Sequence, residues 1–143
     1  MSKPLMFLVR DTYKEWTVYM KSLAAEAGIP DSYRMILTFL LRHPGANQKD
    51  LAEHRGITTS SISQAVKEMQ LTGYLKKEPD DNDQRYMKLY LTEQGEEIAR
   101  KLHGRMHAAD DRLKELLTPE TESELRQILS RLTEIITEEL PKC

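Results

Sequence analysis

Apolar residues return every three or four positions along most of this chain, and over one short stretch the period falls to two. Leu5, Val9, Trp16, Tyr19, Met20 and Leu23 recur at helical spacing. They predict a first helix from about Pro4 to Ala27, with Gly28 and Pro30 behind it as stop signals. Met35, Ile36, Phe39 and Leu40 set a second helix that opens near Asp31–Ser32. Pro44 ends it, because the residue before a proline is pushed out of the helical region. Asn47 can cap a short third helix, with Asp50 in its first turn, Leu51 and Ala52 as its apolar positions and Gly56 at its end. Thr58 caps a fourth, which carries Ile62, Ala65, Val66 and Met69 on one face and stops at Gly73.

Tyr74–Glu78 and Tyr86–Leu91 then read as short strands, the second alternating Met87, Leu89 and Leu91 against Tyr86, Lys88 and Tyr90. The turn chemistry of Pro79–Gln84 joins them as a hairpin. Thr92 caps a long fifth helix with Ile98, Leu102, Met106, Ala109, Leu113 and Leu116 on one side. Thr118–Pro119, a cap followed by a first-turn proline, starts a sixth. Its stripe of Leu125, Ile128, Leu129, Leu132, Ile135, Ile136 and Leu140 ends at Pro141. The expected fold is mainly α with a small β-hairpin, in the order α-α-α-α-β-β-α-α, as one domain over 1–143.

Composition narrows the class. The 143 residues leave little room for a second core. No apolar run approaches the roughly 18 residues that span a bilayer, so no membrane partner is expected. The N-terminal stretch carries Asp11 and Glu15 within its apolar pattern and is not expected to be a signal peptide. The single cysteine, Cys143, fits a reducing cytoplasm. The formal net charge is −2, and from residue 44 to 90 the basic and acidic side chains balance. A strongly basic footprint is absent, so a nucleic-acid reading must rest on pattern and on where the positive charges sit.

The pattern is a helix-turn-helix. Ala52 supplies the small residue facing the partner helix, Gly56 the tight turn and Ile62 the apolar contact from the second helix. Away from that apolar face the fourth helix holds Ser60, Ser63, Gln64 and Lys67, with Thr58, Thr59 and Ser61 at its N-terminus. Glutamine can bond adenine in bidentate fashion, serine and threonine can bond bases or phosphates, and lysine can reach guanine or phosphate. The helix N-terminus adds free amides for a phosphate. The plain alternative is that the hydroxyls only cap the helix while Gln64 and Lys67 are solvated. Arg85 lies at the edge of an acidic turn beside Asp83, which can hold its guanidinium. An arginine on such a loop can enter a narrow minor groove, or can be an ordinary surface ion pair.

The run LAEHRGITTSSISQAVKEMQLTGYLKKEPDDNDQRYMKLYLTEQG resembles the winged helix-turn-helix of the MarR family of bacterial transcription regulators. The specific parts are QKDLAEHRGI, the helix TTSSISQAVKEM with its following LTGYL, and the wing DNDQR before LYLTEQG. Flanking helices at both ends also follow the family order. The resemblance implies that Thr59–Lys67 lie in the major groove of double-stranded DNA, with Arg85 in the minor groove and Asp83 supporting it. The first wing strand has Lys76 and Lys77 where arginine is frequent in the family, and both are counted with the DNA-contacting residues. Leu71 stands where a charged residue is usual.

The first and last helices carry more apolar surface than a compact winged-helix unit needs. Residues 1–30 and 92–143 are therefore expected to dimerise, and 31–91 to form the DNA-binding lobe. A homodimer calls for a pseudo-palindromic operator with half-sites roughly 34–36 Å apart. The resemblance further implies a repressor released by a small aromatic or phenolic anion, for which Trp16, Tyr19, Met20, Met35, Phe39 and Arg42 are candidate lining residues, equally readable as core. His103, His107 and Asp111 have metal-ligand spacing along a helix, but a solvated face gives the same pattern, and no metal or cofactor is expected. No phosphate loop or nucleophile elbow points to an enzyme. The competing reading is a winged-helix module that binds protein rather than DNA.

Overall fold

Every stretch of helical period becomes a helix and the alternating stretch becomes a two-stranded sheet in the computed structural model, which describes residues 1–143. The elements are α1 (Leu5–Glu26), α2 (Asp31–Arg42), α3 (Gln48–Arg55), α4 (Thr59–Leu71), β1 (Leu75–Pro79), β2 (Met87–Leu91), α5 (Glu93–Leu117) and α6 (Pro119–Glu138). Both strands start one residue later than their composition predicts. Pro79 belongs to β1 rather than to the turn, and its missing N–H costs nothing at the end of a strand. The antiparallel register pairs Leu75 with Leu91, Lys77 with Leu89 and Pro79 with Met87.

The chain divides into two compact units, Met1–Arg105 and Met106–Cys143. In the first, α2 packs against α1, α4 and β2, and α3 packs against α4. Ile36, Leu37, Leu40, Leu51, Ile62, Val66, Met69 and Leu89 are each less than 2 % exposed. Removing side chains of this size from water stabilises by about 1.5–3 kcal/mol each. Arg34 is also buried, and its guanidinium is held by Asp31 in the first turn of α2, Nε to Oδ1 at 2.6 Å. Without that carboxylate the charge would be too costly to bury.

Caps fix the short helices. Asn47 Oδ1 accepts from the Asp50 N–H at 2.8 Å and Asp50 Oδ2 accepts from the Asn47 N–H at 3.0 Å, a reciprocal capping box. Gly56 closes α3 at φ 64°, the left-handed region that glycine adopts freely. Thr92 Oγ1 accepts from the Gly95 N–H at 3.1 Å and donates to the Gly73 carbonyl at 2.6 Å, so one hydroxyl starts α5 and ties it to the end of the helix-turn-helix.

Gly95 lies against the Tyr74 carbonyl so closely that a Cβ there would come within 1.9 Å of the oxygen. The second unit holds the end of α5 and all of α6, and no residue of α6 is buried. Thr118 departs from the expected cap. Its φ of 72° is unusual for a β-branched residue, and its hydroxyl donates to Thr121 Oγ1 at 3.2 Å instead of accepting from a first-turn amide.

Candidate nucleic-acid interface

α4 is held by its apolar side and offers its polar side to solvent. Ile62 and Val66 are 1 % and 0 % exposed. Ser60, Ser63, Gln64 and Lys67, spaced around the other side, are all exposed. The expected division of faces is therefore present, and Thr59 and Ser61 are exposed as well.

At the helix start Thr58 Oγ1 accepts from the Ser61 N–H at 3.4 Å and lies 3.1 and 3.2 Å from the Ser60 and Ser61 hydroxyls. The hydroxyls thus form a small polar cluster over the first turn, where free amides and the positive end of the helix dipole favour an anion. The turn that aims α4 is set by Gly56 and by the Ile57 N–H donating to the Ala52 carbonyl at 3.2 Å.

Gln64 is not freely solvated. Its Nε2 donates to Glu68 Oε1 at 2.9 Å, one turn along the helix. Tyr33, buried at the start of α2, donates its hydroxyl to Glu68 Oε2 at 3.1 Å. Burial, and then the Glu68 carboxylate, push the Tyr33 phenol pKa above 10.0, so it stays a protonated donor. Tyr33 and Glu68 stand 35 residues apart, and nothing in a one-dimensional pattern shows that they meet.

The hairpin carries Arg85 at its tip. Asp80 Oδ1 accepts from the Asn82 and Asp83 N–H groups at 2.8 and 3.2 Å, and the Tyr86 N–H donates to the Asp83 carbonyl at 3.0 Å. This turn presents Arg85 with 87 % of its side chain exposed while Asp83 holds it from below. Nε and Nη2 donate to Asp83 Oδ1 and Oδ2 at 3.0 and 2.9 Å, and the Arg85 backbone N–H adds a third bond to Oδ1 at 3.1 Å. The Arg85 side chain and then its backbone N–H hold the Asp83 carboxyl below 3.8. Lys76 is exposed and Lys77 half-buried on β1, with Lys76 Nζ 3.6 Å from Glu78. β2 is braced on its other edge, where Gly45 N–H donates to the Leu89 carbonyl and Leu89 N–H to the Ala46 carbonyl, both at 2.9 Å.

The expected effector residues are spread over α1 and α2. Trp16 and Tyr19 have ring centroids 5.6 Å apart on α1, with Trp16 half-buried and Met20 buried. On α2, Met35 is half-buried and Arg42 exposed. Phe39 is buried, with its ring 4.7 Å from both His43 and His54. A cavity of about 580 Å³ opens elsewhere, between the end of α1 (Leu23, Glu26, Ala27) and the α5 stretch from Ile98 to Arg105. Arg105 at its rim donates to Glu26 Oε1 at 2.8 Å, a pair spanning 79 residues of sequence that helical spacing alone could not indicate. His103, His107 and Asp111 belong to no cluster of three or more groups able to hold a metal.

Three helices ending in α4, followed by a hairpin with an arginine at its tip, define a winged helix-turn-helix protein. Residues 27–85 match the family model described as MarR family. Two relatives are an HTH-type transcriptional regulator, BilQ, from Clostridium symbiosum and an uncharacterized HTH-type transcriptional regulator, YfiV, from Bacillus subtilis. The first is 25 % identical over 83 % of this chain and 83 % of its own, the second 28 % identical over 82 % and 80 %.

Among solved structures, the fold resembles a MarR family transcription regulator (TM-score 0.83, 20 % identity, 90 % and 85 % of the two chains). It also resembles Staphylococcus aureus MepR in a complex with DNA (0.81, 17 %, 93 % and 98 %). A third neighbour is NadR in complex with 4-hydroxyphenylacetate (0.75, 21 %, 94 % and 95 %). The likeness to the MarR family model covers 27–85, the span from the end of α1 to the wing arginine. The relatives do not favour a protein-binding module, and no helix is long and apolar enough to cross a membrane.

Proposed function

We propose that this chain is a cytoplasmic, non-enzymatic DNA-binding transcription regulator that works as a homodimer on a pseudo-palindromic operator. In this reading each copy lays α4 in the major groove through Thr59, Ser60, Ser63, Gln64 and Lys67, and sets Arg85 into the adjacent minor groove. Thr58 and Ser61 shape the helix start, and Lys76 and Lys77 lie toward the backbone. The observation that carries the reading is Arg85, gripped by two bonds to one carboxylate yet left 87 % exposed. A guanidinium already fixed in place loses little freedom on meeting the negative potential of a narrow groove.

The dimer reading draws on the uncovered apolar stripes of α1 and α6, which a second copy would bury. The regulator acts as a repressor released by a small aromatic or phenolic anion, a reading supported by the complex of NadR with 4-hydroxyphenylacetate. Such a ligand must bind two conformations with different affinity.

The test uses a duplex selected by the wild-type protein from a randomised pool, read by fluorescence anisotropy. Arg85→Ala should weaken binding about tenfold or more and leave the melting temperature unchanged. Equal affinity of variant and wild type would remove the wing from the interface. Release of the duplex by 4-hydroxyphenylacetate or a related acid is expected, and indifference to a broad panel of such acids would sink the effector reading.

A further inference from the structure

We infer that Tyr33, a buried phenol on α2, is a positioning residue for base reading. It acts through Glu68 to fix which way the Gln64 carboxamide faces, and this rests on the reading of α4 as the DNA-contacting helix.

The chain of contacts is short and directional. Tyr33 donates to one Glu68 oxygen at 3.1 Å, and the other accepts from Gln64 Nε2 at 2.9 Å. A carboxamide free in solvent can turn over, exchanging its donor and acceptor ends. A carboxylate accepts but cannot donate, so Glu68 binds the NH₂ end of Gln64 and rejects the carbonyl end. One Gln64 N–H is taken, which leaves the carbonyl oxygen and the second N–H. Those are the acceptor and donor that the N6 amino group and N7 of adenine require.

Glu68 would itself swing on an exposed helix face if only Gln64 held it, since such pairs are weak at a surface. The Tyr33 phenol removes that freedom. Its ring is 6 % exposed and packs edge-on to Tyr74 at 6.1 Å between centroids, so the hydroxyl is delivered by a side chain that cannot follow Glu68 outward. The core of the lobe, through one phenol, orients one amide on the exposed face of α4.

The experiment selects binding sites from a randomised duplex pool with the wild type and with Tyr33→Phe, Glu68→Ala and Gln64→Ala. The wild type should show a strong adenine preference at one position of each half-site, and Gln64→Ala should lose it. Tyr33→Phe and Glu68→Ala should lose about fivefold to tenfold of the preference at that same position, with other positions and the salt dependence of binding unchanged. Loss of preference spread over all positions would mean that Tyr33 acts on folding rather than on Gln64. Glu68→Ala guards against this, because it cuts the same chain of contacts at an exposed residue. Retention of the adenine preference in both variants would overturn the inference while leaving α4 as the reading helix. A wild type that selects no sequence would instead overturn the reading of α4 itself, and this inference with it.

Discussion

α4 and α6 are both amphipathic helices, and they meet opposite fates within one chain. Ile62, Ala65, Val66 and Met69 of α4 are all buried among α2, α3 and β1. α6 has a longer apolar stripe and fully buries none of it: Leu125, Ile128 and Leu129 are 40 %, 60 % and 44 % exposed, and Leu132, Ile135 and Ile136 are half-buried. The N-terminal half of α1 resembles α6, leaving Leu5, Phe7 and Leu8 at 63 %, 47 % and 49 %. Helical period states that a face is to be buried, but not whose atoms will bury it. Where the chain supplies them the element is part of the core of a lobe, and where it does not, the stripe stays open to solvent.

The largest expected effect breaks the buried side. Gly95→Val places a branched side chain where even a Cβ would come within 1.9 Å of the Tyr74 carbonyl oxygen. That carbonyl also accepts from the Thr92 N–H at 3.1 Å, so it cannot retreat without losing the bond that starts α5. Destabilisation by about 4 kcal/mol or more is expected, a large part of the roughly 5–15 kcal/mol that holds a domain of this size. Urea denaturation would measure it. A variant within about 1 kcal/mol of wild type would show that α5 does not need this close approach.

A smaller but sharper effect is expected on the uncovered side. Ile128→Asp with Leu129→Asp puts two carboxylates into the stripe of α6 without touching the lobe core. Sedimentation equilibrium should fall from the mass of two chains to that of one, with the dissociation constant raised about a hundredfold or more. The lobe should keep its helical signal. If the double variant still sediments as two chains, α6 is not an interface and its stripe needs another explanation.

The same contrast marks what the sequence makes legible. All eight elements follow from periodicity and punctuation, because Pro44, Gly56 and Gly73 interrupt the backbone for local reasons that a one-dimensional pattern contains. The exposed face of α4 is also legible, since it is what remains once Ile62, Ala65, Val66 and Met69 turn inward. The chain from Tyr33 through Glu68 to Gln64 is not, because it joins residues 35 apart through the geometry of packed helices. The Arg105–Glu26 pair at the rim of the cavity is hidden for the same reason. Thr118 shows the limit of a local rule: Thr-Pro is a sound cap signal, yet a φ of 72° turns its hydroxyl to Thr121.

The smallest expected effect concerns a site that belongs to neither side of the contrast, the wing tip, which is ordered by charge rather than by burial. Asp83 has its pKa lowered from 3.8 by the Arg85 side chain and then by the Arg85 backbone N–H. A carboxyl whose folded pKa is depressed contributes its stabilisation above the unfolded value, and loses it as pH falls through the folded one. The window therefore opens just under pH 3.8 and lies on its acid side. At the exposed tip the consequence for global stability is negligible, because solvent screens the pair. The measurement must therefore be local.

A carboxyl-carbon NMR titration of Asp83 should show a midpoint below 3.8 in the wild type. Arg85→Ala should bring it back toward that value. The backbone contribution persists in this variant, so the recovery should be incomplete. A full return would mean that the side-chain bonds alone hold the carboxylate. No movement at all would mean that Asp83 does not grip Arg85 in solution, and that the arginine meets any duplex from a disordered tip.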